Sequence, residues 1–307
     1  MKSTFVRLSL ALTFALLFSP QLANAQQIAD PEFVTSVEHP AFKKSYPRLL
    51  FDEAHNNFHT ATGRYKPFAD LIVNDGYHLV RGRKVFTPEG LGTFKILVIA
   101  NALGAEDIDE DNADSSAFTD EECDVVRDWV RGGGALLLIA DHAPFGGAAE
   151  NLAKRFGVDM SKGFTFDTEN SRRESNNPSS LVFSTENKLL GDHPINRGRN
   201  DMETIHRIFT FTGQSLKGPE GSAAFLKLSD SAKDRATPDS KTDTSAAGRA
   251  QAIAFKFGKG RVVVLGEAGM LSAQLIGSEK KPMGMNVPGS DNKQLALNIM
   301  HWLSGLL

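Results

Sequence analysis

The sequence predicts an α/β protein, a three-layer, mostly parallel sheet with helices on both faces. Two observations carry this. Continuous apolar runs at residues 94–100 (FKILVIA) and 135–140 (ALLLIA) read as strands covered on both sides. Segments of helical spacing alternate with them, the pattern of strand–helix–strand units. Right-handed crossovers then align the carboxyl ends of the strands along one edge, where open sheets bind ligands.

The elements follow in order. Lys2 and Arg7, the apolar stretch 8–18 and Ala23-Asn24-Ala25 form an export signal with cleavage near Ala25. The apolar stretch is too short to span a bilayer, so the expected product is periplasmic or secreted, with no stable membrane insertion. Residues 26–46 read as an N-terminal arm, and 47–307 as a single domain. Residues 47–51 are a strand, 65–74 a helix and 77–86 a second strand, followed by the 94–100 strand and an acidic loop. Thr119-Asp120-Glu121-Glu122 is a capping box that opens a helix, and Gly132-Gly133-Gly134 stops it. The 135–140 strand leads through Asp141-His142 into a helix opened by Gly146-Gly147. Residues 159–203 form a long excursion with one strand near 180–184. Two strands follow at 205–211 and 223–228, then a mobile loop at 229–249. Gly258-Lys259-Gly260 joins the strands 250–257 and 261–265 as a hairpin, and 292–303 is a closing amphipathic helix.

Composition excludes several functions. With 34 basic and 37 acidic residues, net charge −3, the chain carries no broad basic footprint for nucleic acid. Its one cysteine excludes an internal disulfide and a thiolate zinc cluster, and Cys123 reads as a small core residue. No phosphate-binding G-x-x-x-x-G-K-[ST] loop, G-x-S-x-G elbow or H-E-x-x-H helix is present.

The strand exits concentrate polar chemistry. Asp52, Glu53, His55 and Asn56 follow the first strand, Asn101 the 94–100 strand, Asp141 and His142 the 135–140 strand, and Glu267 the 261–265 strand. Such groups are costly to desolvate unless paired or functional. Two readings stay open. In one, the cleft holds a small polar ligand or an envelope protein partner. Asp52, His55, Asn56, Asn101, Gly146, Gly147 and Glu267 then contact it, and the glycine helix start favours an anion. In the other, a hydrolase acts on a sugar or peptide fragment. His142 or Glu53 is the base and Asp141 orients the histidine, with a divalent metal as candidate cofactor and the 229–249 loop as a lid. Asp141 as a helix cap and His142 as a turn residue are the structural alternatives. His55 and His59 have the i,i+4 spacing of two metal ligands, although Asn56-Asn57 speaks against a helix there. Arg172, Arg173, Arg197 and Arg199 read as a solvated face or as a clamp on an acidic substrate.

The order of these elements, with Gly132–Ile139 running into Asp141-His142 and Gly258–Gly266 near the end, resembles the class I glutamine amidotransferase-like superfamily. That resemblance implies a flavodoxin-like sheet. It points to an exported branch whose relatives occur as accessory domains of gliding-motility and ABC-type transport systems, and in intraflagellar transport. Active amidotransferases carry a cysteine at the elbow matched here by Ala140-Asp141-His142, so their cysteine–histidine mechanism is not expected.

Overall fold

A computed structural model describes residues 27–307. The export signal lies outside the described residues. The nine strands of the central sheet are β1 (Arg48–Asp52), β2 (His78–Gly82), β3 (Ile96–Ala100), β4 (Ala135–Ile139), β5 (Asp159–Met160), β6 (Leu216–Lys217), β7 (Ala223–Lys227), β8 (Ala250–Phe257) and β9 (Gly260–Leu265). The main helices are α1 (Lys66–Asn74), α2 (Asp120–Arg131), α3 (Phe145–Lys154) and α4 (Asn292–Ser304).

The strand order is β2-β1-β3-β4-β9-β8-β6-β5, with β7 also paired to β8. The first five strands run parallel. The β8, β6, β5 and β7 pairings are antiparallel. The sheet is therefore mixed, and the expectation of a mostly parallel sheet is corrected. The antiparallel half arises at the Gly258-Lys259 turn, which sends β8 back as β9 in a hairpin. Gly258 has φ +58, and a Cβ there would lie 2.7 Å from the Arg131 carbonyl oxygen, so glycine suits the turn on both counts.

The parallel strands β3 and β4 are buried along their whole length, as the runs ILVIA and ALLLI require. Side chains of the parallel strands alternate between two cores. Leu49, Phe51, Ile96, Val98, Leu137 and Ile139 pack with Phe68, Leu71 and Ile72 of α1 and with Leu295, Ile299 and Trp302 of α4. Leu50, Leu97, Ile99, Leu136 and Leu138 pack with Cys123, Val126 and Val130 of α2 and with Phe145, Ala149 and Leu152 of α3. Cys123 is buried, and burial pushes its thiol up to about 11, as an inert core residue requires. The capping box forms as read: Thr119 Oγ1 accepts from Glu122 N at 3.2 Å, and Glu122 Oε2 accepts from Thr119 N at 3.1 Å.

Two segments carry more structure than their composition suggests. In the 229–249 stretch, Lys233–Arg235 pairs antiparallel with Asp243–Ser245 and, on its other edge, with Phe164–Phe166 from the long excursion. Asp234 there accepts from Thr165 Oγ1 and Ser215 Oγ at 2.5 and 2.6 Å. The N-terminal arm also joins the body: Gln27–Ala29 pairs with Ala273–Ile276, which pairs in turn with Lys281–Gly284. This small sheet stands beside the strand ends. Among the described residues, no helix is long and apolar enough to cross a membrane.

Candidate functional site

A cavity of about 280 Å³ opens at the carboxyl ends of β3, β4 and β9. Asn101, Asp141, His142 and Glu267 line it, together with Phe58 and His59 from the turn after β1. Ile108, Phe145, Phe211 and Met283 supply apolar wall, and Gln27, Thr212, Gly269 and Gln274 complete it.

Adjacent parallel strands deliver the two acids. Asp141 leaves β4: its Oδ1 accepts from His142 N at 2.7 Å and its Oδ2 from Ala268 N at 3.2 Å. Its own amide donates to Asn101 Oδ1 at 3.0 Å. Asn101 takes φ +50, which presents its side chain across the β3–β4 gap. Glu267 leaves β9, and its carboxylate oxygens accept from Gly269 N and Met270 N at 2.6 and 2.7 Å. Both acids are almost fully buried. Burial raises the pKa of Asp141, against the pull of His142 and its hydrogen bonds. Burial, and next the charge of Asp141, hold Glu267 well above the usual carboxylate range.

The histidines differ. His142 Nδ1 lies 2.7 Å from the Ala143 carbonyl oxygen, which can only accept, so a neutral ring carries its proton on Nδ1 and leaves Nε2 as acceptor. The ring stacks on Phe164, with centroids 4.7 Å apart. His59 stacks on Tyr65, and its Nδ1 is buried with no hydrogen-bond partner among the described residues. Burial, reinforced by the Arg64 charge, lowers its pKa to about 3, so the ring is neutral. The Tyr65 hydroxyl donates to the Ala268 carbonyl at 2.6 Å. Gln274 Nε2 donates to Ser272 Oγ, while its Oε1 is buried and unpartnered among the described residues.

Of the ten residues singled out from sequence, four line this cavity and six do not. Asp52 and His55 instead form an internal clamp. Both Asp52 carboxylate oxygens lie 2.9 Å from His55 Nδ1, and His55 Nε2 is 2.9 Å from Glu122 Oε1. The imidazole packs against Phe86 and Phe118, each centroid 4.7 Å away. The clamp fastens the turn after β1 to the capping box of α2. Glu53 pairs with Arg81 at 2.8 Å and with Arg83 at 3.6 Å, and accepts from Ala61 N. With Asn56, it lines a neighbouring recess that shares Phe58 and Ile108 with the cavity, and it does not itself line the cavity.

Gly146 and Gly147 are packing residues. A Cβ on Gly146 would lie 2.5 Å from the Gln214 amide, and one on Gly147 would lie 2.8 Å from the Asp114 carbonyl oxygen. The Gly147 amide is already bonded to the Pro144 carbonyl. Neither glycine lines the cavity. Nor does the 229–249 stretch line the cavity. Arg197 pairs with Asp192 and Arg199 with Glu203, while Arg172 and Arg173 line a different recess; among the described residues, no arginine clamp forms at the cavity. Among the described residues, no group of three or more His, Cys, Asp or Glu is arranged to hold a metal ion.

From sequence, His59 reads only as a ligand beside His55, and Tyr65 only as the start of a helix. Phe211 reads as the end of a strand, and Gln274 carries no signal. Chain crossings bring His59, Phe211 and Gln274 to the cavity and Tyr65 behind His59, and no local pattern marks such crossings.

These features define an α/β protein with a partly apolar, carboxyl-bearing cavity at the ends of its parallel strands. No family model matches the chain, and no curated protein matches its sequence. Solved structures do match. The N-terminal domain of mmIFT52 superposes with a TM-score of 0.59 at 15% identity, over 83% of this chain and 97% of that one, and shows the same fold. A ThuA-like protein from Bacteroides uniformis follows at TM-score 0.44 and 13% identity, over 86% and 95% of the two chains. A GMP synthase-type protein from Thermoplasma acidophilum has TM-score 0.42 and 10% identity, over 85% and 96%.

Proposed function

We propose that the chain is an exported, glutamine amidotransferase-like domain that binds a small polar ligand in the cavity at the strand ends. The observation that carries this is the cavity wall itself. It contains two buried carboxyl groups from adjacent strands, with His59 Nδ1 and Gln274 Oε1 buried and unpartnered among the described residues. Leaving such groups unpaired costs about 1–3 kcal/mol each, which a ligand's hydrogen bonds would offset. The volume, about 280 Å³, lies just below the range of drug-sized sites and suits a small molecule. The segment matched to the amidotransferase elbow is Ala140-Asp141-His142, with no cysteine, and Cys123 is buried on α2, which supports binding without that nucleophile. Export with cleavage near Ala25 places the ligand, or an envelope partner, outside the cytoplasm. It also fits the role of an accessory domain in an envelope transport or motility system.

The test is a thermal-shift screen of residues 26–307 against small polar metabolites, repeated with Asp141→Asn. A ligand should raise the melting point of the parent and not that of the folded variant. Equal shifts in both would place the ligand elsewhere. Export is checked by intact mass: the secreted form should begin at Gln26, and an uncleaved chain in the cytoplasm would refute it.

One observation favours the second reading, a hydrolase. His142 has Nδ1 tied to Ala143 and lines the cavity, so its Nε2 is an acceptor able to take a proton from water. In that case, His142→Ala would abolish turnover of a hydrolysable ligand while binding persists.

A further inference from the structure

Sorted by hydrogen-bonding direction, the cavity wall is rich in acceptors. The Gln274 amide nitrogen is held by Ser272 Oγ, which leaves Oε1 as its unpartnered end. His142 Nε2 is an acceptor in the neutral ring. The Thr212 hydroxyl donates to the Phe211 carbonyl and accepts from Asn177 Nδ2 at 3.4 Å, which leaves it one lone pair. Asp141 and Glu267 accept one backbone amide per oxygen and retain further lone pairs. Against these stand the amide nitrogens of Gln27, which also brings an acceptor oxygen, and of Asn101, whose oxygen is used by Asp141 N, with one N–H of neutral His59.

The charge balance points the same way. Among the described residues, no lysine or arginine lines the cavity, and the basic side chains in its wall are the two imidazoles, neutral His59 and His142, whose Nε2 lies 4.0 Å from Asp141 Oδ1. Buried acids are ordinarily paired. The aromatic rings of Phe145 and Phe211 stand in the same wall, and ring faces attract cations; the Phe58 ring already carries the Arg64 guanidinium 4.0 Å from its centroid.

We propose that the cavity takes a small ligand bearing a cationic primary amine, with Asp141 and Glu267 as its counter-charge and Gln274 Oε1 as a further acceptor. This rests on the ligand-binding reading above and names the ligand's class. An ammonium supplies three N–H donors together with the missing positive charge, whereas a neutral hydroxyl supplies a donor alone. Without the amine, burial and mutual repulsion favour a proton on the acid pair, and the amine takes that proton's place. The groups facing the pair are His142 beside Asp141, Tyr65 at the start of α1, and neutral His59 with Arg64 near it. Amine affinity therefore falls as pH drops and the proton competes.

The experiment uses side-chain nitrogen NMR of the histidines in residues 26–307, titrated with ethanolamine and separately with ethylene glycol. Ethanolamine should move the His59 resonances saturably, at least about tenfold more tightly than the diol, a difference of about 1.4 kcal/mol. The affinity should weaken on going from pH 8 to pH 5. Glu267→Gln should lose the preference, and the wild-type pH dependence gives an independent reading if that variant does not fold. If ethylene glycol binds as tightly as ethanolamine, the ammonium assignment is overturned and the cavity stands as a site for neutral hydroxyls. If neither moves His59, the ligand-binding reading falls as well.

Discussion

Replacing His55 by alanine should be among the costliest single substitutions in the molecule. The imidazole is 5% exposed between Asp52, at 0%, and Glu122, at 8%. Its removal leaves two buried carboxylates facing the space it filled. Part of their bonding survives. Asp52 keeps Asn57 Nδ2 at 3.0 Å, and Glu122 keeps Phe86 N at 3.0 Å and Thr119 N at 3.1 Å. Deleting one partner of a buried pair costs about 3–5 kcal/mol, and the lost packing against Phe86 and Phe118 adds to it, so about 4 kcal/mol is expected. Urea unfolding at constant m measures this directly. The pH dependence is a second signature. Burial alone would lower the imidazole pKa, but the bonds and charges of Asp52 and Glu122 outweigh it and raise it above 6.5. The contribution of His55 is thus complete below pH 6.5 and is lost as pH rises through the folded value. Glu122 shifts downward from 4.5 because His55 and the amides of Thr119 and Phe86 outweigh burial. Its share is present above pH 4.5 and is lost as acid passes the folded value. The gap between wild type and His55→Ala should therefore be widest between these limits and narrow as pH rises through the folded His55 value. A loss below about 1 kcal/mol, or a gap that ignores pH, would refute the clamp.

Three further outcomes are expected. Gly146→Ala should destabilise the fold by about 1–3 kcal/mol in urea. The new methyl meets Gln214, whose amide is pinned by the Ala140 and Asp141 carbonyls and by Lys162 N, so an unchanged midpoint would mean that Gln214 moves freely. Tyr65→Phe should cost about 1 kcal/mol by orphaning the Ala268 carbonyl, and melting curves of the two proteins that coincide would deny that bond any weight. Glu267→Gln should flatten the pH dependence of stability. The raised carboxyl binds its proton more tightly in the fold than in the unfolded chain, so wild-type stability declines as pH climbs from 4.5 through the folded value. Parallel pH profiles for the two proteins would contradict this.

The elements that are legible in the sequence are those defined by local physics. The Thr119–Glu122 box, the 258–259 turn and the buried runs of β3 and β4 each follow from residues within a few positions of one another. Likewise, the rule that polar residues gather at strand exits brings Asn101, Asp141, His142 and Glu267 to one cavity. The rest depends on long-range geometry. β5 and β6 are two residues each, too short for any period, so the outer antiparallel edge of the sheet leaves little trace. His55 reads as a ligand contact because its partner Glu122 is 67 residues away and already has a local role as a capping residue. Gly146-Gly147 looks like an anion cradle because a glycine that admits a neighbouring side chain reads the same in sequence as one that admits a ligand. The charged, proline-containing 229–249 stretch looks unstructured because its strand partner Phe164–Phe166 lies far off in the chain.

The sharpest measurement compares Asp141→Asn and His55→Ala side by side, by titration of ethanolamine and by urea unfolding. Ligand recognition is assigned to the cavity and stability to the clamp. Asp141→Asn should keep its midpoint within about 1 kcal/mol and lose at least about tenfold in affinity. His55→Ala should lose about 4 kcal/mol of stability and, where folded, bind as wild type does. The reverse pattern, with binding lost at His55 and kept at Asp141, would contradict the division of the strand-end residues on which the functional reading rests.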